Sequence, residues 1–192
     1  MTDLKAPCTL GPRAAHDSGP RTAKSIRLIV IHSAEASDDI GQDTTAEGVA
    51  RYFAQSSTRA STQLAVDRDS CVRMLSDLIV PWGATGANSV GLHVEICGRA
   101  RWTRSEWLER PTMLRRAAYK VARWCWQYTI QPRWVSVDQL RAQTARGITT
   151  HAYVNQAFKG GTHWDPGPDF PKDLFMEWIK EYYAELKKER AR

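Results

Sequence analysis

The sequence predicts an α/β fold: a single domain with a central mixed β-sheet flanked by helices. Three observations carry this. Short β-branched or apolar runs at 26–31 and 90–97 have the length of buried strands. Segments with a 3.6-residue apolar period, at 111–128 and 174–182, alternate with them. Strands and helices that alternate along one chain stack as a sheet with helical layers. No internal repeat, linker or second domain interrupts the pattern. The expected organisation is an irregular N-terminal arm over 1–24 and one domain over 25–192.

The elements follow in order. Residues 1–24 are rich in Pro, Gly, Ala and polar side chains, with little periodicity. Ile26–Ile31 is a β-branched strand that ends at His32. An acidic, small-residue loop covers Ser33–Asp43. Thr44 with Glu47 reads as a capping box for a helix to about Gln55. Thr62, Leu64 and Val66 alternate, Asp69-Ser70 turns, and Val72–Leu75 returns as a hairpin. Leu78–Val80 is a further apolar piece. A polar loop, Trp82–Ser89, leads into a strand over Val90–Cys97. Pro111 opens a helix whose apolar face is Leu114, Ala117, Ala118, Val121, Cys125 and Tyr128, and Pro132 lies beyond its end. Ser136 and Gln139 form a second capping box for a helix to about Ala145. Gly147–Thr150 is extended. The last helix carries Leu174, Phe175, Trp178, Ile179 and Tyr182 on one stripe, then a basic tail.

Composition narrows the class. The chain has 192 residues, 42% of them apolar, enough for a core of its own. Its formal charge is +6, which favours an anionic partner. The arginines are dispersed among acids, however, and no nucleic-acid-binding signature accompanies them. Four cysteines, Cys8, Cys71, Cys97 and Cys125, show no C-x-x-C pair, and their expected state is reduced and buried. The N-terminal residues lack the apolar core of a signal peptide, and no run is long enough to span a bilayer. The expectation is synthesis in the cytoplasm. Most of the eight tryptophans are assigned to the core.

The stretch from His151 to Asp165 holds the densest chemistry. It contains His151, His163 and Asp165, with a Gly160-Gly161 turn between the first two. His32 lies at the carboxyl end of a buried strand, where open α/β sheets place their sites. His151 follows a second extended piece. Pro166 keeps Asp165 out of the helical region, so the carboxylate stands on a braced backbone. Two imidazoles and a carboxylate suit catalytic Zn²⁺, which takes three protein ligands and leaves a fourth position for water. His163 and Asp165 share one face of an extended segment. His163 is therefore either a ligand, with Asp165 behind it, or a donor beside the ion that binds an oxyanion. Three ligands are already supplied, which favours the second role. Period 2 puts His93, Glu95 and Cys97 on one face of their strand. A carboxylate on an apolar strand is costly unless used, and near an activated water Glu95 suits a general base. His93 reads as a neighbour that orients groups. Trp82, Asn88 and Trp164 are substrate-binding candidates from their loop positions.

These residues resemble a known family. The segments IVIHSAE, DRDSCVRML, PWGATGANSVGLHVEICG and THAYVNQAFKGGTHWDPGPDFP together are similar to the zinc-dependent N-acetylmuramoyl-L-alanine amidases of the amidase-2 type, kin to peptidoglycan recognition proteins. The resemblance runs from about Ile26 to about Trp178 and is strongest to the amidase modules of phage endolysins. It implies metal ligands at His32, His151 and Asp165 and the catalytic glutamate at Glu95. Many relatives carry lysine where His163 stands, His-Tyr where Gln63-Leu64 stands, and histidine where Gly83 stands. The last two departures bear on which stem peptide is preferred. The implied activity is hydrolysis of the amide between N-acetylmuramic acid and the L-alanine of the stem peptide. The implied cofactor is Zn²⁺ and the partner is bacterial peptidoglycan, with no nucleic acid, no membrane insertion and a monomeric state. Residues 25–192 would be the catalytic domain, released from the host cytoplasm by a holin. The alternative is a non-catalytic peptidoglycan-binding module of the same fold.

Overall fold

The computed structural model describes residues 3–35 and 45–190. In chain order its elements are β1 (Thr9–Leu10), β2 (Leu28–Ser33), α1 (Ala46–Phe53), β3 (Leu64–Val66), β4 (Cys71–Arg73), β5 (Gly91–Ile96), α2 (Arg104–Leu108), α3 (Pro111–Gln127), α4 (Val137–Arg141), β6 (Gly147–Thr150), α5 (His151–Phe158) and α6 (Lys172–Arg190). The strands form one sheet in the order β1-β4-β3-β5-β2-β6. β3 and β4 are antiparallel, and every other neighbouring pair is parallel. The mixed sheet with helical layers agrees with the alternating sequence pattern.

Strands β2 and β5 are buried along their whole length, which is why they read as near-continuous apolar runs. Their side chains alternate between two cores. Ile29, Ile31, Leu92, Val94 and Ile96 enter the larger core with α3 and α6. Leu28 and Val30 point the other way, into a smaller core with Val135, Leu140 and Val154. The same alternation sends His32, His93 and Glu95 to the smaller-core side.

Several helix boundaries follow from caps visible in the sequence. The Ser136–Gln139 capping box is present at the start of α4. At α1 the cap is Thr45, whose hydroxyl accepts from Gly48 N. The expected Thr44 lies outside the described residues, as does most of the 33–43 loop. Asp67 adds a carboxylate at the N-terminus of α1, accepting from Ala46 N at 2.7 Å, where the helix dipole favours negative charge. Two short helices were not anticipated. α2 has its own box, Thr103 with Glu106, and α5 begins as soon as β6 ends.

The expectation of four reduced cysteines is corrected for two of them. Cys8 and Cys71 form a disulfide across 63 residues of sequence. Parallel pairing of β1 with β4 sets Thr9 opposite Val72, and that register brings the preceding residues face to face. Cys97 and Cys125 are free and buried. The arm is further tied down by Arg21, which donates to the carbonyls of Asp77, Asn88 and Gly91. Two α3 cations, Arg116 and Lys120, donate to the carbonyls of Asp3 and Ala6. Closing so long a loop lowers the entropy of the unfolded chain. In the chain-entropy treatment, a loop of this length makes Cys8→Ser cost about 4 kcal/mol of unfolding free energy, read from urea denaturation. Equal midpoints for the variant and oxidised wild type would refute that contribution.

Candidate metal centre and groove

Three parallel strands, β5, β2 and β6, lie side by side, so their carboxyl ends meet at one edge of the sheet. Within that edge the register is set residue by residue. His32 pairs with Glu95, and Ile31 pairs with Thr150. His151 is the next residue after Thr150, as His32 is after Ile31. Glu95, His32 and His151 thus stand in a row across the sheet. His151 opens α5, where the Thr150 hydroxyl caps the helix by accepting from Tyr153 N.

The fourth member arrives from the loop after α5. Lys159 ends that helix in the left-handed conformation, at φ 54°, and Gly160 passes against Thr85, where a Cβ would come within 2.8 Å. The returning segment is pinned twice to α5. Ala152 N donates to Asp165 O at 3.0 Å, and Asn155 Nδ2 donates to His163 O at 2.7 Å. Asp165 is thereby held against both histidines.

The resulting cluster is compact and buried. His32 Nδ1 lies 3.1 Å from His151 Nδ1 and 3.2 Å from Asp165 Oδ2. His151 Nδ1 lies 3.1 Å from Asp165 Oδ1. A tetrahedral ion with bonds of 2.0–2.1 Å separates its ligand atoms by about 3.3 Å, so these groups match one face of such a shell. Among the described residues, His32, His151 and Asp165 are the group able to hold a metal ion, with ligand atoms within 4.8 Å of one another. The chemistry of the donors fits Zn²⁺, which favours neutral imidazole and carboxylate.

Electrostatics divides the two carboxylates. Burial works to raise Asp165, but hydrogen bonds from His151 and His32 outweigh it and hold the carboxyl far below its usual range. Glu95 has no such donors. Burial, then the like charges of Asp165 and Glu35, push it well above the usual range. Burial also lowers His32 and, more strongly, His93, so both rings are held neutral. A neutral imidazole is the ligand form.

The cluster opens into a groove of about 940 Å³. Val49, Tyr52 and Phe53 of α1 line one wall, and Ser18 of the arm contributes as well. Glu95 and His163 line it too. The His163 ring stacks on His151, with centroids 4.5 Å apart. Its side chain is 67% exposed, and its Nδ1 is 3.8 Å from Asp165 Oδ1. Trp82 lines the groove, stacked on His16 and donating through Nε1 to Ser18 Oγ. Asn88 also lines it, although its Oδ1 is occupied by Gly83 N and Ala84 N. Trp164 is 53% exposed and is not among the lining residues.

Sequence reasoning missed three contributors. Glu35 sits at a left-handed position and accepts from Ser33 Oγ and Ala100 N. Arg59 and Arg99 line the groove with no acidic partner among the described residues. Nothing in their local sequence sets them apart from the other arginines.

Comparison with known proteins agrees with this geometry. The family model for N-acetylmuramoyl-L-alanine amidase, Amidase_2, matches residues 22–168. The chain belongs to this amidase family. Staphylococcus aureus hydrolase AmiA, solved with its ligand, is similar in fold at TM-score 0.71 and 17% identity, over 96% of this chain and 87% of AmiA. A mutant form of PlyL gives TM-score 0.60 at 13% identity, over 91% and 99% of the two chains. The catalytic domain of XlyA gives 0.57 at 16%, also over 91% and 99%. Comparison with curated proteins finds no match.

If the amidase cluster is the metal site, His32→Ala and Asp165→Ala each lose bound zinc, measured by elemental analysis of purified protein. Undiminished metal in either variant removes that residue from the ligand set.

Proposed function

We propose that this chain is a zinc-dependent peptidoglycan hydrolase that cuts the amide between N-acetylmuramic acid and the L-alanine of the stem peptide, as a phage endolysin does. What carries the reading is a three-ligand cluster open to a groove in a chain of the amidase family. When bound, zinc supplies a Lewis acid that polarises the scissile carbonyl and lowers the pKa of water toward about 7.

The chain's own residues do the rest. His32, His151 and Asp165, which line the groove, would hold the ion there. A Glu95 carboxylate oxygen takes the proton of the attacking water and delivers it to the leaving alanine nitrogen. Burial makes Glu95 a stronger base than an exposed carboxylate, which suits both halves of that transfer. His163, exposed at the groove and stacked on His151, donates an N–H to the oxyanion. Trp82 and Asn88 contact the substrate in the groove, Trp164 meets only parts of it that extend beyond the groove, and Arg59 and Arg99 complement the free carboxylates of a short peptide. In this reading the monomeric protein gathers in the host cytoplasm until a holin releases it. No described helix is long and apolar enough to cross a membrane.

The decisive measurement is mass spectrometry of purified peptidoglycan after digestion. The expected products are stem peptides with a new N-terminal alanine. A chelator abolishes them and zinc restores them. Wall binding without any bond broken would identify a binding module instead. Glu95→Gln keeps its zinc and loses roughly 10²- to 10⁴-fold in turnover; wall clearing at the wild-type rate would reassign the base. His163→Ala keeps zinc and slows turnover by on the order of 10²- to 10³-fold. Departure of the metal with that ring would make His163 a ligand.

A further inference from the structure

His93 is a second buried imidazole in contact with the cluster, and no step above uses it. Its Nδ1 lies 3.0 Å from His32 Nε2, on the side of the His32 ring facing away from His151 and Asp165. His93 is therefore outside the ligand set, and one hydrogen atom must bridge the two rings. His32 turns Nδ1 toward His151 and Asp165, so an ion there needs the lone pair on that nitrogen. The His32 proton then sits on Nε2, and His93 Nδ1 must accept it.

The surroundings of His93 are built to fix that ring. Its backbone is bracketed by Gln63: His93 N donates to Gln63 Oε1 at 2.8 Å, and Gln63 N donates to His93 O at 3.2 Å. Its ring lies in a slot made by two glycines. A Cβ on Gly83 would overlap His93 Nδ1, and one on Gly91 would come within 2.8 Å of Nε2. Nε2 itself is buried with no hydrogen-bond partner. The ring is thus oriented by the close approach of the two glycines and by a single polar contact, the one to His32.

We propose that His93 is a positioning residue for the metal centre: it accepts the Nε2 proton of His32 and commits the His32 Nδ1 lone pair to the ion. The proposal rests on the reading of His32, His151 and Asp165 as a zinc site. The two glycines complete the device, since any larger residue at position 83 would push the acceptor out of line.

Zinc competition against a chromogenic chelator tests it on the full chain. His93→Ala retains one site per chain but binds zinc about 10- to 100-fold more weakly. His93→Asn, whose Oδ1 occupies the place of Nδ1, recovers most of the affinity. Gly83→Ala weakens binding although it touches no ligand. In ¹⁵N-histidine spectra of the zinc-loaded wild type, His32 carries its proton on Nε2. Wild-type affinity in a folded His93→Ala protein, or a His32 proton on Nδ1, overturns the assignment. If His93→Ala does not fold, the wild-type spectrum alone decides. A wild type that takes up no zinc overturns the metal reading and this proposal together; a loaded wild type with indifferent variants overturns this one alone.

Discussion

The site depends on the parallel pairing of β5, β2 and β6 in a fixed register. Antiparallel neighbours would send alternate carboxyl ends to opposite edges, and a one-residue slip in β2 would turn His32 into the larger core. With all three parallel, a carboxylate and two imidazoles fall in line without any long-range loop to assemble them. Only Asp165 is brought from outside the sheet, and the two hydrogen bonds to α5 fix its approach.

Burial then gives neighbouring carboxylates opposite fates. Asp165 meets two ring nitrogens and stays ionised. Glu95, on the far side of His32 from His151 and acted on only by acids, is driven toward protonation. In the proposed reaction such a split lets one carboxylate hold charge while the other moves protons.

Much of this was legible in the sequence because its signals are local. A buried parallel strand announces itself by an unbroken apolar run, and the Ser136–Gln139 box by spacing alone. His151 and Asp165 could be paired because a rigid Asp-Pro followed a glycine turn. What escaped was set by tertiary contact. The Cys8–Cys71 bond follows from the β1–β4 register, and β1 is only two residues long. α5 was hidden because its eight residues are weakly amphipathic and begin directly after a strand. Asn88, a substrate-binding candidate from its loop position, commits its carbonyl to the turn that carries Trp82. The groove arginines look like any others until the fold brings them to the groove wall.

The arm has a bearing on how this chain can be cut and joined. The amidase family match begins at residue 22, which would be a natural seam for grafting the unit onto another wall-targeting module. Everything before that seam would be lost, including Cys8, the Ser18 hydroxyl that holds the Trp82 indole, and the His16 ring beneath it. A chimaera joined there would keep His32, His151 and Asp165 but lose Ser18 from the groove and both contacts that hold Trp82. The usable unit for such grafting starts upstream of the family boundary, at the residues that clasp α3.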